Sequence, residues 1–194
     1  MVRNLSPEKR DRFLSSALHL FVANSVQHTT TAEIAREAGT AAGTLFLYFP
    51  TKQDLMNALV LQIGQEQSDY VKSLFTSSLS ARESFWAIWN GSVGWFLEHM
   101  DAYLYIRQIW DAGVISEVVV LESNKFFGFY YDAIQKGLTE GSIKPFPPEM
   151  IGMFLYQEIV AMMNLVRAQP DPARRDEAIQ QGFAIFWDGI RLWS

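Results

Sequence analysis

Apolar residues at Phe13, Leu14, Ala17, Leu18 and Phe21 fall at the three-and-four spacing that lays one face of a helix against a core. Ser6-Pro7-Glu8 supplies a cap, a proline at the first helical position and an acid in the first turn. This pattern predicts a first helix to about Val22, ended at Asn24-Ser25 with Asn suited to a left-handed cap. Thr30 and Glu33 then have capping-box spacing, and Ile34, Ala35 and Ala38 make a narrow apolar stripe. Gly39 is free to take the left-handed conformation that turns the chain sharply. A second short helix is expected from about Ala41 to Tyr48, carrying Leu45 and Phe49 at i, i+4. Small residues at Ala35, Ala38, Ala42 and Gly43 let the two helices approach closely. Pro50 stops the chain, and Thr51 can cap a third helix with Asp54 at its N3 position. Leu55, Leu59, Ile63, Tyr70 and Leu74 continue one face of that helix to Thr76-Ser77-Ser78.

Beyond Ser80 the periodicity blurs because apolar groups surround the helix. Phe85, Trp86, Ile88, Trp89, Val93, Trp95, Phe96 and Leu97 predict an interior helix up to Met100. A shorter one follows from Asp101 to Ile109 and breaks at Gly113, and then a single aromatic-rich helix is expected from Glu117 to Leu138. Gly141 and Lys144-Pro145-Phe146-Pro147-Pro148 make a loop. Two final helices, Glu149 to about Ala168 and Ala173 to Leu192, are split by Gln169-Pro170-Asp171-Pro172. The fold class is all-α: a three-helix head over residues 1–50 and a larger helical body over residues 51–194. A third helix that runs across the join would couple the two.

Composition changes this picture little. No apolar run approaches the ~20 residues of a membrane span, the charged beginning MVRNLSPEKRDRF has no signal-peptide core, and cysteine is absent. A cytoplasmic place without membrane contact is expected. The net charge of −5 argues at first against nucleic acid. Its distribution qualifies that, since residues 1–55 carry +1 and the remainder −6. Arg3, Lys9, Arg10 and Arg12 gather at the start, as a solvated helix face or as contacts to a DNA backbone.

Helix, glycine turn and helix suit an ordinary αα corner as well as a helix-turn-helix whose second member enters the major groove. Thr30, Thr31, Tyr48 and Lys52 fall near helix ends, where hydroxyls, ammonium groups and amides hold phosphate. Thr31-Ala32-Glu33-Ile34-Ala35, Ala38-Gly39, Gly43-Thr44-Leu45-Phe46, Tyr48-Phe49 and Lys52-Gln53-Asp54-Leu55 together resemble the tetracycline-repressor (TetR) family of regulators. The match covers roughly the first third of the chain. It implies a double-stranded DNA operator read by Thr40, Ala41, Ala42, Thr44, Leu45 and Leu47, with Thr30, Thr31, Tyr48 and Lys52 on the backbone. Thr40 stands where the family usually has Val, Ala41 and Ala42 where Ser and a polar or basic residue are common, and Phe46 where Tyr is common. The recognition helix is therefore unusually apolar, so base contacts rest on methyl groups against thymine and on DNA shape.

In this family the body houses a cavity for a small, mostly apolar effector. Trp86, Trp89, Val93, Phe96, Trp110, Phe127 and Phe154 are the expected walls, with Tyr103, Tyr130 and Tyr131 adding hydroxyls. Asn90, Gln157 and Glu158 are candidates to orient the ligand, beside Ser92 and Asn164. Arg107 suits a carboxylate, whereas Glu158 or Asp111 beside aromatics suits a cation. Phe154, Met162, Val166, Ile179, Phe183, Phe186, Trp187 and Ile190 are expected at a four-helix interface with a second copy, which the resemblance also implies. His19, His28 and His99 show no metal-ligand spacing, and no phosphate-cradling loop or nucleophile elbow is present, so neither an enzyme nor a cofactor is expected. The rival to the regulator is a helical carrier of apolar ligands that does not touch DNA.

Overall fold

The computed structural model describes residues 5–76 and 78–193, so Arg3 and Ser77 lie outside the described residues. Among the described residues ten α-helices follow one another: α1 Pro7–His28, α2 Thr31–Glu37, α3 Ala42–Tyr48, α4 Lys52–Ser73, α5 Ala81–Glu98, α6 Met100–Ala112, α7 Glu117–Phe126, α8 Gly128–Thr139, α9 Pro148–Val166 and α10 Pro172–Ile190. The all-α class expected from the sequence is what the chain adopts, and none of these helices is long and apolar enough to cross a membrane. Packing divides the chain into two compact units. One holds the chain up to Gln65 together with His99–Ser123, and the other holds Glu66–Glu98 with Asn124–Ser194.

In the first unit Phe13, Leu14, Ala17 and Phe21 of α1 are buried with Ile34, Ala35, Leu45, Phe49, Leu55 and Leu59. Helix α6 belongs here too, through the buried Tyr103, Tyr105 and Ile109. Tyr105 stacks on Phe21 at 5.6 Å between ring centroids and donates its hydroxyl to the Met56 carbonyl at 2.9 Å. Burial pushes that hydroxyl's pKa well up, so it stays a donor.

The expected end of α1 needs a correction. Asn24 remains helical, and Ser25 takes the left-handed turn with φ 67° and ψ 155°. Such backbone costs a residue with a Cβ about 1–3 kcal/mol, whereas glycine adopts it freely. Ser25→Gly is therefore expected to raise stability by about 1 kcal/mol, read as a Tm increase of ~2–4 °C in a thermal melt. An unchanged or lower Tm would show that the bend carries no strain.

In the second unit α5 is buried on nearly every side, as its composition predicts. Trp89 donates its indole N–H to the Ile179 carbonyl at 3.0 Å and stacks against Phe186 at 6.3 Å. Close packing leaves no room for a side chain at Gly182 of α10, where a Cβ would lie 2.9 Å from the Trp89 ring. The single helix expected over residues 117–138 is two, broken at Phe127. The physical reason lies in α4: the buried Ser68 hydroxyl donates to the Phe126 carbonyl at 2.6 Å, satisfying a group the break exposes. Along α4, Leu55, Leu59 and Ile63 are buried as expected, while Tyr70 and, just past the end of the helix, Leu74 are exposed.

Candidate nucleic-acid interface

Helix α2 begins on a complete capping box. Glu33 N–H donates to the Thr30 hydroxyl at 3.2 Å, and the Glu33 carboxylate accepts from Thr30 N–H at 2.7 Å. Those hydrogen bonds from Thr30, backbone first, hold the Glu33 carboxyl below its ordinary range. Gly39, at φ 69°, then reverses the chain. Thr40 closes α2 from the far side, with its N–H and its hydroxyl both donating to the Ala35 carbonyl, at 2.9 and 3.3 Å. Helix α3 follows with no side-chain cap.

The two faces of α3 differ sharply. Leu45 is 0% exposed and Phe49 is buried, so they fasten α3 into the head. Leu47 is 54% exposed, Ala41, Ala42, Gly43 and Phe46 are exposed, and Thr44 is half-buried. Leu45 is thus a correction: it was expected among the base-reading residues, and its side chain offers nothing to the outside. The expected apolar character of the outward face stands, since α3 holds no basic residue.

Tyr48 and Lys52 hold the head together. The Tyr48 hydroxyl accepts from Ser6 N–H at 3.0 Å, and its ring meets Phe13 edge-on at 5.4 Å. Tyr48 thereby pins the start of α1 beside the end of α3, which no sequence signal announced. Lys52 donates its Nζ to the Val26 carbonyl and sits 5.8 Å over the Phe21 ring. Desolvation lowers its pKa, partly opposed by the Glu33 carboxylate. Its ammonium is therefore engaged at the end of α1 rather than standing free toward a phosphate. Lys9, Arg10, Arg12 and Arg36 are the exposed cations of this region, with Arg10 lying 5.6 Å over the Phe49 ring.

The residues expected to line an effector cavity fall in both units. Tyr103, Arg107 and Trp110 belong to the first unit and the others to the second. Arg107 makes two hydrogen bonds to the Asp111 carboxylate, at 2.9 and 3.0 Å, which engages two of the three groups expected to hold a charged ligand with each other. Trp110 and Phe154, expected as cavity walls, lie on the surface, as do Tyr131, expected to add a hydroxyl, and Asn90 and Gln157, expected to orient the ligand; the structure corrects these placements. Trp89, Val93 and Phe96 are buried, and Trp86 and Phe127 are half-buried. The Tyr130 hydroxyl, 3.4 Å from the Ser92 hydroxyl, is pushed up to about 12 by burial and stays protonated. Burial also raises the half-buried Glu158.

The residues expected at a dimer interface need the largest correction. Met162, Val166, Ile179, Phe183, Phe186, Trp187 and Ile190 are buried within the single chain. Phe183 meets Trp86 at 5.0 Å and Trp89 at 6.2 Å between centroids, so α10 turns this face toward α5. Only Phe154 of that set is on the surface.

The family model of bacterial regulatory proteins of the tetR family matches residues 13–59, and the tetracyclin repressor-like C-terminal domain matches residues 60–192. The transcriptional regulator SrpR of Pseudomonas putida is 24% identical over 70% of this chain and 64% of its own length. LuxR of Vibrio harveyi is 29% identical over 46% of this chain and 44% of its own. The matches thus span less than two thirds of either regulator. A crystal structure of a tetR family transcription regulator from Shewanella superposes with a TM-score of 0.89 at 25% identity, covering 95% of this chain and 99% of that one. Both parts of the chain are accounted for, and the family is not an enzymatic one. The protein belongs to the TetR family of bacterial helix-turn-helix regulatory proteins.

Proposed function

We propose that this regulator is a homodimeric repressor, acting in the cytoplasm and released from a near-palindromic operator by a small, mostly apolar effector. The observation that carries the reading is an apolar stripe on the outside of the last two helices. Met150, Met153, Phe154 and Leu165 of α9 and Ile185 of α10 are all exposed. Large apolar side chains exposed in this number mark an association site, and a second copy brings the same set under a two-fold axis. Two heads so related meet half-sites about 34 Å apart, one turn of the duplex.

Within each head the outward face of α3 offers Ala41, Ala42, Thr44 and Leu47 to the major groove. Their methyl groups suit thymine. Lys9, Arg10, Arg12 and Arg36 supply the phosphate contacts. In the second unit the effector lies against the aromatic side chains of α5 and α8, oriented by Tyr130, Ser92 and Glu158. The protonated phenol of Tyr130 donates to a ligand oxygen. Effector binding then favours an arrangement of the dimer in which the heads no longer match one groove repeat.

The test is selection of bound duplexes from a random pool, followed by a screen of apolar compounds for release of the selected duplex in an anisotropy titration. The expected site is palindromic, with its halves about ten base pairs apart. A site without two-fold symmetry removes the dimeric reading. DNA binding unmoved by compounds that the protein takes up removes the release.

A further inference from the structure

We propose that Gln108 of α6 is a positioning residue for DNA recognition, because its amide bridges the bend in α1 and fixes the direction from which α2 and α3 depart. The proposal rests on the DNA-binding role of the α2–α3 hairpin.

In an unbroken helix Val26 N–H would donate four residues back, to Val22. Past the bend at Ser25 it donates instead to Gln108 Oε1, at 2.6 Å. The other end of the same amide, Gln108 Nε2, donates to the Phe21 carbonyl at 3.3 Å, on the near side of the bend. One side chain thus ties both arms of the broken helix. Val26 is also held from α4, since Lys52 donates to its carbonyl. Tyr105, one turn earlier on α6, stacks on the Phe21 ring at 5.6 Å. Groups of α6 and α4, Tyr105 buried and Gln108 and Lys52 half-buried, therefore converge on residues 21–26 of α1.

That segment leads directly into the reading hairpin. Thr29 donates its hydroxyl to the Leu20 carbonyl at 3.1 Å and the Ser25 carbonyl at 2.8 Å, and Thr30 is the cap of α2. Helices α2 and α3 are seven residues each and are joined by the tight Gly39 turn, so a tilt at Val26–Thr29 carries α3 with it. A hydrogen bond made in part-buried surroundings, and costly to leave unmade, sets that angle. A shift of α6 consequently reaches the DNA-reading face through Gln108.

The experiment compares the wild-type chain with Gln108→Met, which can make neither bond, and Gln108→Glu, which keeps only the acceptor. Two readouts are used: hydrogen exchange of the Val26 amide, and affinity for the duplex selected by the wild type against an unrelated duplex. In the wild type the Val26 amide is expected to exchange slowly, and in Q108M rapidly. Affinity of Q108M for the selected duplex is expected to fall about tenfold, with affinity for the unrelated duplex unchanged and Q108E between the two. Rapid exchange at Val26 in the wild type overturns the proposal. So does an unchanged ratio of the two affinities in Q108M, or an equal loss on both duplexes, which would mark a merely structural residue. Should Q108M not fold, the wild-type exchange and Q108E decide. If the wild type selects no duplex, the DNA-binding reading fails, and exchange at Val26 still tests the clamp.

Discussion

Replacing Leu165 and Ile185 together with arginine is expected to yield a folded monomer whose affinity for the selected operator is about a thousandfold lower. Leu165 is 60% exposed on α9 and Ile185 is 71% exposed on α10, so neither contributes to the core of its own chain. Substitution at such positions ordinarily changes the stability of a single chain by no more than about 0.5 kcal/mol. In the proposed dimer each stands opposite the second copy's stripe, and like charges there leave guanidinium groups buried without partners. Loss of the dimer removes the second half-site contact, a multivalency effect of about 10²–10⁴. Sedimentation equilibrium reads the mass and an anisotropy titration reads the affinity. A variant that keeps a dimer's mass would place the interface elsewhere.

Phe183→Ala is expected to act in the opposite way, costing about 4 kcal/mol of folding stability, or ~10 °C in Tm, at fixed protein concentration. The Phe183 ring is buried among Trp86, Trp89, Phe186 and Trp187, at centroid distances of 5.0, 6.2, 6.4 and 6.4 Å. Arg82 covers it with its guanidinium 5.4 Å from the centroid. Truncation leaves a ring-sized void that Trp89 cannot close, since its indole is tied to the Ile179 carbonyl. Denaturant unfolding followed by Trp fluorescence reads the loss. A loss below about 1 kcal/mol, with weakened self-association, would return Phe183 to the surface role first expected of it.

The contrast between these two variants shows where sequence reasoning reached its limit. Helices α9 and α10 are apolar on two faces, and periodicity gives the spacing of a stripe without saying which stripe its own chain covers. The face with Phe183 and Trp187 is occupied by α5, which leaves the face with Leu165 and Ile185 outward. The same ambiguity misassigned Leu45. A seven-residue helix presents two turns, and Leu45 and Leu47 differ only in which side of it they take.

Features written in local chemistry were legible. The Thr30–Glu33 capping box, the Gly39 turn and the Thr51–Asp54 cap all stand where residue types place them, the last with Asp54 N–H donating to the Thr51 hydroxyl at 3.1 Å. Features set by a distant partner were not. The bend falls on Ser25 with Gln108 bridging it, and the break at Phe127 is served by Ser68. The Asn24-Ser25 pair marks the bend to within a residue, but nothing adjacent in the chain marks its bridge to Gln108 or the break at Phe127.

The central claim is that the outward side of α3 reads duplex DNA, and Leu47→Glu tests it most directly. The side chain is 54% exposed, so a carboxylate there leaves the fold intact and sets a negative charge against phosphate. In an anisotropy titration with the selected duplex, the account calls for affinity at least about tenfold below wild type with an unchanged Tm. Affinity within about twofold of wild type, from a folded variant, would contradict it.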